Sequence, residues 1–163
     1  LPENRKEQGL LLDQSIRINS TLAVLNKKIS KAGFIPHRQE KNFVRELLES
    51  ISTKYGSTED KVNSLSGGNQ QKVSLAKWIA ADCRCIVLDE PTRGVDVGAK
   101  VEIYELITQI AEQGVAVIMI SSEMPEIIGL CDRVVVMRQG KVTGEFSKED
   151  ITENNLIKAA MEV

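Results

Sequence analysis

Residues 83–96 read CRCIVLDEPTRGVD and give the clearest indication of the fold class. A short apolar run over residues 85–89 ends in two adjacent acids, Asp89 and Glu90. Such runs are typical of parallel strands that are buried on both faces. We therefore expect a fully buried parallel strand, with the two acids at its carboxyl end, where open α/β sheets bind their ligands.

The two acids can have different roles, because neighbouring residues in a strand point to opposite sides of the chain. One of them is a candidate to hold Mg²⁺ through water. The other is a candidate to orient and deprotonate an attacking water. Two solvated acids at the end of a strand are the alternative interpretation of this pair taken alone.

The segments that follow Glu90 alternate between helix and strand. Residues 115–121 form a second apolar run, which predicts another buried strand, and residues 133–146 predict two strands joined at Gln139 and Gly140. This alternation favours an α/β fold in which helices flank a parallel sheet. The segments predicted to be helical are residues 69–81, 98–114, 125–131 and 152–161.

The first third of the chain is predicted to be helical throughout. Its apolar residues recur at helical spacing in two segments. Ser15 is a candidate cap for the first segment, and Gly33 and Pro36 separate it from the second. The apolar residues are Ile18, Leu22, Leu25 and Ile29 in the first segment, and Val44, Leu47, Leu48 and Ile51 in the second.

The composition indicates a globular chain, since apolar residues make up 42%, charged residues 27%, and the net charge is −2. A nucleic-acid partner is not expected, because it requires a cationic surface. Cys83, Cys85 and Cys131 have neither metal-binding nor disulfide spacing, so we expect buried, reduced thiols. No apolar run reaches about 18 residues, so the sequence predicts no membrane span.

Residues 64–78, SLSGGNQQKVSLAKW, join a serine and two glycines to the start of a predicted helix. Backbone N–H groups at a helix N-terminus are free to bind phosphate. The G-x-x-x-x-G-K-[ST] loop that wraps nucleotide phosphates is absent from this sequence. The residues therefore predict a contact with a phosphate whose main binding loop this sequence does not contain.

Three motifs, in this order, resemble the ATP-binding cassette of ABC transporters. Residues 65–70 resemble its signature motif, residues 86–90 its Walker B strand, and residues 94–96 its D-loop. Four segments resemble in sequence the second cassette of the tandem ATP-binding subunits of ribose- and galactose-type monosaccharide importers. They are PENRKEQG, LSGGNQQKV, DEPTRGVDVGAK and SSEMPEI.

The resemblance implies a partial P-loop NTPase fold with an inserted helical subdomain. Residues 1–65 are then the helical subdomain, and residues 66–163 are the C-terminal part of the RecA-like ATPase core. The chain is expected to be a C-terminal fragment of a cassette, without the phosphate loop.

Two cassettes of this family pair head to tail, and the signature motif of one contacts the nucleotide held by the other. The resemblance therefore implies that Ser66 donates a hydrogen bond to the γ-phosphate of ATP. The two glycines that follow let the backbone approach that phosphate closely. The predicted nucleotide-binding residues are Ser66, Gly67, Gly68, Asn69, Gln70 and Asp96.

The family also implies cofactors, partners and a location. The cofactors are ATP and Mg²⁺, and the resemblance implies that Asp89 holds Mg²⁺ through water and that Glu90 is the general base. The partners are a second cassette and a membrane permease, and a periplasmic or extracellular sugar-binding protein acts indirectly. The segment of roughly residues 13–56 is expected to face the permease, and the location is peripheral, on the cytoplasmic side of the cell membrane.

One position departs from the family pattern. The family has a histidine after the second strand that contacts the γ-phosphate, whereas this chain has Glu123. A carboxylate repels a phosphate where imidazole donates a hydrogen bond. We therefore expect the ATP site that contains Glu90 to be degenerate, and the signature motif to remain functional. His37, the sole histidine, is predicted to lie at the surface.

Two other functions remain open at this stage, a soluble ABC-type ATPase and a degenerate regulatory cassette. The isolated chain is predicted to be inactive as an ATPase, because the phosphate loop supplies most of the nucleotide contacts. A strand of the parent sheet is predicted to be missing between residues 115–121 and 133–137. We therefore expect a homo-oligomer with a rearranged sheet.

Overall fold

The computed structural model describes residues 1–30 and 34–161. They form two units, Leu1–Ile120 and the residues from Ser121 onward. The first unit contains α1 (Ile16–Thr21), α2 (His37–Ser50), α3 (Gly67–Ile79), β1 (Cys85–Asp89), α4 (Val97–Glu112) and β2 (Ala116–Ile120). The second unit contains α5 (Met124–Leu130), β3 (Arg133–Arg138), β4 (Lys141–Ser147) and α6 (Glu153–Met161).

The first predicted helix is shorter than its apolar pattern indicates. Ser15 caps α1 as predicted, since its hydroxyl accepts a hydrogen bond from the Ile18 N–H. The α-helix ends at Thr21, and a wide turn follows over Leu25–Ile29. The predicted apolar face is therefore wrong in part: Leu22 is 46% exposed, whereas Val24 is buried. The predicted break at Gly33 lies outside the described residues.

Helix α2 confirms the second helical pattern. Val44 and Leu48 are fully buried and lie one turn apart on the same face. The helix begins directly after Pro36, in line with the predicted break at that residue. His37 is 73% exposed, which confirms its prediction as a surface residue.

One hydrophobic cluster joins most elements of the first unit. It includes Ile16 of α1, Leu48 of α2, Val73 of α3, Leu88 of β1 and Ile103 of α4, all of them fully buried. The predicted helical subdomain thus shares this cluster with residues beyond its predicted limit. The boundary between residues 65 and 66 stays a prediction.

Strands β1 and β2 pair in parallel, as predicted, with Ile86 opposite Val117. Complete burial of the two strands was the wrong expectation. Ile86 and Leu88 pack into the cluster, but on the other face Val87, Ile118 and Ile120 are 46%, 54% and 51% exposed. The cluster lies against one face only, so each strand is half buried. Cys85 lies on the uncovered face and is exposed, so the expectation of a buried thiol is wrong for this cysteine.

The second unit confirms the predicted pair of strands. Strands β3 and β4 are antiparallel, and Gln139 and Gly140 both have positive φ, as a two-residue hairpin turn requires. Helix α6 packs on the hairpin. It approaches Gly144 so closely that a Cβ there would lie 2.8 Å from that of Ala159. Within the described residues, no helix is long and apolar enough to cross a membrane.

Candidate functional site

The start of α3 is built by Ser66, its N-cap. The Ser66 hydroxyl accepts hydrogen bonds from the backbone N–H of Asn69 at 3.4 Å and from its side-chain amide at 3.0 Å. Ser66 is exposed, and the hydroxyl keeps its own proton as a donor. An exposed donor next to the positive end of a 13-residue helix is suited to an anionic ligand.

Asn69 and Gln70 hold the turn in front of the helix. The Asn69 side-chain oxygen accepts from the Lys54 N–H at 2.9 Å. The Gln70 amide donates to the Leu65 carbonyl at 3.0 Å, and Gln70 is only 6% exposed. These contacts shape the backbone around Ser66. A nucleotide contact by either side chain stays a prediction.

Close neighbours within this chain explain why positions 67 and 68 are glycine. A Cβ at Gly68 would lie 2.4 Å from the Cβ of Ala99, so glycine allows α3 and α4 to pack closely. A Cβ at Gly67 would lie 2.9 Å from Arg5 Nη2 and 3.2 Å from the Gly94 carbonyl oxygen. The sequence motif predicted small residues here but not these neighbours.

The two acids lie where β1 ends, as predicted. The Asp89 N–H donates to the Leu1 carbonyl at 3.0 Å, and the Glu90 N–H donates to the Ile120 carbonyl at 2.8 Å. Glu90 has φ +46°, a left-handed backbone conformation that residues other than glycine rarely adopt. Such backbone strain occurs often at functional sites. The roles of Asp89 with Mg²⁺ and of Glu90 as a general base stay predictions.

The segment after Glu90 is held by buried side chains from other elements. Gln71 of α3 donates to the Pro91 carbonyl at 2.6 Å. Arg5 donates to the Arg93 carbonyl at 2.7 Å and to the Gly94 carbonyl at 3.0 Å. Sequence reasoning missed both Gln71 and Arg5, because their partners are main-chain atoms, which no sequence pattern marks.

Asp96 ends this segment as the N-cap of α4. Its carboxylate accepts a hydrogen bond from the Ala99 N–H at 3.0 Å. This cap gives Asp96 a structural role, and its predicted contact with a nucleotide stays a prediction. Gly67 and Gly94 lie side by side, so the fold brings the two glycine-containing motifs of the first unit together.

Glu123 belongs to the second unit, where it precedes α5. The Glu123 backbone N–H donates a hydrogen bond to the Ser121 hydroxyl at 3.0 Å. That hydroxyl donates to Glu126 at 2.6 Å, and Glu126 is 1% exposed. These bonds fix the backbone at the start of α5. The predicted place of Glu123 near a γ-phosphate stays a prediction.

The described residues fit the predicted cofactors in part. Ser66 offers a donor for a phosphate, and Asp89 offers a carboxylate for Mg²⁺. Across residues 1–30 and 34–161, no three His, Cys, Asp or Glu side chains converge on one point. Mg²⁺ keeps several waters and binds through one or two carboxylates and the phosphates of its substrate, so a single carboxylate such as Asp89 is a chemically suitable ligand.

Two buried cations stabilise the segment that precedes α1. Burial lowers the pKa of Arg5 and of Lys77. Lys77 of α3 donates to the Gly9 carbonyl at 2.7 Å, and its ammonium lies 5.1 Å from the centre of the Trp78 ring. The segment of residues 5–9 is therefore attached to α3.

Comparison with known proteins places this geometry in a family. The model of the family described as "ABC transporter" matches residues 2–93, more than half of the chain. The chain belongs to the ABC transporter family. It is a partial ATP-binding cassette, which confirms the family that the three motifs predicted.

Curated relatives match almost all of this partial cassette. It is 50% identical over 161 residues to the ribose import ATP-binding protein RbsA 3 of Rhizobium meliloti (strain 1021), covering 99% of this chain and 32% of the relative. It is 48% identical over 160 residues to RbsA of Bacillus subtilis (strain 168), covering 98% and 32%. The chain thus spans about a third of the length of these relatives.

Solved structures confirm the fold class. An ATP-binding cassette solved as a dimer in a post-hydrolysis state with ADP and Pi has a TM-score of 0.72 at 20% identity, over 90% of this chain and 61% of that chain. The cbiO1 protein of Clostridium perfringens has a TM-score of 0.73 at 22% identity, over 96% and 59%. The partial cassette therefore has the P-loop NTPase fold of ABC ATPases.

Proposed function

We propose that the protein is part of the ATP-hydrolysing subunit of an ABC importer for a monosaccharide, and that its signature motif completes the ATP site of a partner cassette. One observation carries the proposal. The chain is 46–51% identical, over nearly its whole length, to proteins named for the import of ribose or of ribose, galactose and methyl galactoside.

The geometry at the start of α3 supports this role. Ser66 presents an exposed hydroxyl at the positive end of the helix, and no side chain at Gly67 obstructs a phosphate. When bound, ATP supplies the γ-phosphate that is transferred to water, and Mg²⁺ neutralises the charge that develops. Ser66 then binds and orients that phosphate.

The remaining assignments follow from the same role. Asp89 holds Mg²⁺ through water, and Glu90 accepts a proton from the attacking water. Glu123 makes the site of Glu90 degenerate, so the signature motif contributes more to turnover than Glu90 does. The helical segment of residues 13–56 faces the permease on the cytoplasmic side of the membrane, and a sugar-binding protein acts indirectly through that permease.

A degenerate regulatory cassette is the second candidate, and the presence of Glu123 favours it. A soluble ABC-type ATPase is not favoured, because the relatives are named as import proteins. The two remaining candidates differ in whether Ser66 affects the rate of ATP hydrolysis.

The test uses the intact subunit, assembled with its permease in vesicles. Ser66→Asp keeps the helix cap, since aspartate and serine cap equally well, but it places a negative charge against the phosphate. We expect ATP hydrolysis and sugar uptake to fall by more than about tenfold, or about 1.4 kcal/mol. The thermal midpoint of unfolding should stay unchanged.

Ser64→Ala is the matched control. Ser64 is exposed two residues before the cap, and its hydroxyl donates to the nearby Lys61 carbonyl at 2.7 Å. We expect wild-type hydrolysis from this variant. Equal rates for the Ser66→Asp and Ser64→Ala subunits would refute the proposed contact and favour the regulatory cassette.

A further inference from the structure

We propose that Arg5 is a positioning residue that holds the segment of Arg93 and Gly94 against the start of α3. The inference rests on the proposed function, because both stretches would act on one nucleotide held by the partner cassette. The Arg5 guanidinium donates to two main-chain carbonyls of this chain, so we infer that it acts through the residues it holds.

The guanidinium of Arg5 bridges two successive carbonyl groups. Nη1 donates to the Arg93 oxygen at 2.7 Å, and Nη2 donates to the Gly94 oxygen at 3.0 Å. Arg5 is only 8% exposed, so water does not compete effectively for these bonds. Hydrogen bonds from a charged donor are stronger than neutral ones. We call these two bonds the Arg5 bridge.

The Arg5 bridge lies directly beside the signature motif. A Cβ at Gly67 would lie 2.9 Å from Arg5 Nη2 and 3.2 Å from the Gly94 oxygen. The guanidinium therefore fills the space between the start of α3 and the segment after β1. A shift of either stretch requires a shift of Arg5.

The backbone turn that carries Arg5 is held in place as well. Arg5 begins a wide turn that ends at Gly9, and Lys77 of α3 donates to the Gly9 carbonyl at 2.7 Å. Glu3, two residues before Arg5, forms an ion pair with Arg93. The turn is thus attached both to α3 and to the segment that the Arg5 bridge holds.

Two short turns shape the segment itself. Gly94 has φ +65°, and the Arg93 and Val95 N–H groups each close a short turn at 3.1 Å. Without the Arg5 bridge, the Arg93 and Gly94 carbonyls lose these donors, and the two turns lose one of the contacts that hold them. Lysine cannot restore both bonds, because its ammonium is a point charge and not a planar fork.

The experiment compares Arg5→Lys with Lys6→Gln in the intact subunit, assembled with its permease. Lys6 is exposed on the same turn and serves as the matched control. The measurements are kcat and KM for ATP, the thermal midpoint, and hydrogen exchange of the peptides that cover residues 91–96 and 37–50. Exchange at residues 91–96 reports the Arg93 and Val95 amides directly.

For Arg5→Lys we expect kcat to fall about tenfold, or about 1.4 kcal/mol, with KM within about twofold. Exchange should accelerate several-fold at residues 91–96 and stay unchanged in α2. Gly67→Ala should accelerate the same exchange, because its Cβ would lie 2.9 Å from Arg5 Nη2 and 3.2 Å from the Gly94 oxygen. If Arg5→Lys does not fold, unchanged exchange at residues 91–96 in Gly67→Ala would contradict the inference.

Three results would overturn the inference: unchanged exchange at residues 91–96 in both variants, equal acceleration at residues 37–50, or unchanged kcat together with accelerated exchange. The proposed function can fail separately. If the wild-type subunit does not hydrolyse ATP, the proposed function is wrong, and the exchange data alone then decide whether Arg5 holds the segment.

Discussion

Gly68 is buried where α3 packs against α4, and its neighbour there is Ala99. A Cβ at this position would lie 2.4 Å from the Ala99 Cβ, so Gly68→Ala forces the two helices apart. We expect a loss of about 1–3 kcal/mol in the free energy of unfolding, since overpacking outweighs the better helix propensity of alanine. Urea unfolding of the protein measures this loss.

Gly98→Ala is the control for this effect. Gly98 lies in the first turn of α4, and a Cβ there would make only an ordinary contact, 3.5 Å from the Asp96 carboxylate. We expect unchanged or slightly higher stability. Equal losses from both substitutions would show that glycine flexibility, and not the contact with Ala99, determines the effect.

Gly67→Asp tests the signature motif in the intact subunit. The new carboxylate lies where a phosphate must approach, and it also attracts Arg5 away from the Gly94 carbonyl. We expect a larger loss of sugar uptake than from Glu90→Gln, because Glu90 serves the site predicted to be degenerate. Equal or reversed losses in a vesicle transport assay would refute this order.

The sequence predicted the exposed N-terminus of α3 and the position of the two acids at the end of β1. Helix caps, glycines and acids at strand ends are local features that a sequence shows directly. It did not predict Arg5 or Gln71. Both donate to main-chain carbonyls of residues 91–94 across long distances in the chain. Since every residue has a carbonyl, such contacts leave no pattern of residue types.

At the scale of the elements, the spacing of apolar residues predicted some helices and strands better than others. The spacing of Val44 and Leu48 predicted α2 correctly, because this one helix buries both side chains. The first apolar pattern failed after Thr21, where the chain leaves the helix. The apolar run of β1 predicted a strand correctly and its complete burial wrongly, because a sequence does not show what covers each face of a sheet.

Lys72 of α3 and Glu102 of α4 join these two helices. Lys72 is 2% exposed and lies 2.7 Å from the Glu102 carboxylate. The hydrogen bond from Lys72 lowers the pKa of Glu102 below its ordinary value. The pair therefore stabilises the fold above the unfolded-state pKa of about 4.3, and this contribution is lost as the pH falls through the lower folded-state pKa.

We expect Glu102→Gln to lower stability at neutral pH and to weaken the dependence of stability on pH in the acidic range. The free energy of unfolding, measured from pH 7 downward in both proteins, tests this. Glu105→Gln is the control, because Glu105 is exposed on the same helix. A steeper acid dependence in the Glu102→Gln protein would contradict the assignment.

At the scale of the whole molecule, ATP binding is predicted to need more than this chain. The sequence contains no phosphate loop, and the loop supplies most backbone donors and the lysine in nucleotide sites. We expect neither tight binding nor hydrolysis of Mg-ATP by the isolated chain. Calorimetry that detects micromolar binding would refute this expectation.

The open edges and the exposed face of the sheets lead to a prediction about association. Among the described residues, β2 pairs only with β1, and β3 pairs only with β4. Val87 and Ile118 add an exposed apolar face to the first pair. Unpaired strand edges and apolar faces promote pairing between chains. We therefore expect the isolated chain to form a dimer or a larger oligomer.

Light scattering coupled to gel filtration measures the oligomeric state. Ile118→Lys places a charge on the exposed face without disturbing the buried cluster, since Ile118 is 54% exposed. We expect this variant to associate more weakly than the original chain. The control is Glu112→Lys, which adds a lysine at an exposed position at the end of α4. A chain that stays monomeric at every concentration would show that the open edges are stable in water, because solvent then satisfies their N–H and C=O groups at little cost.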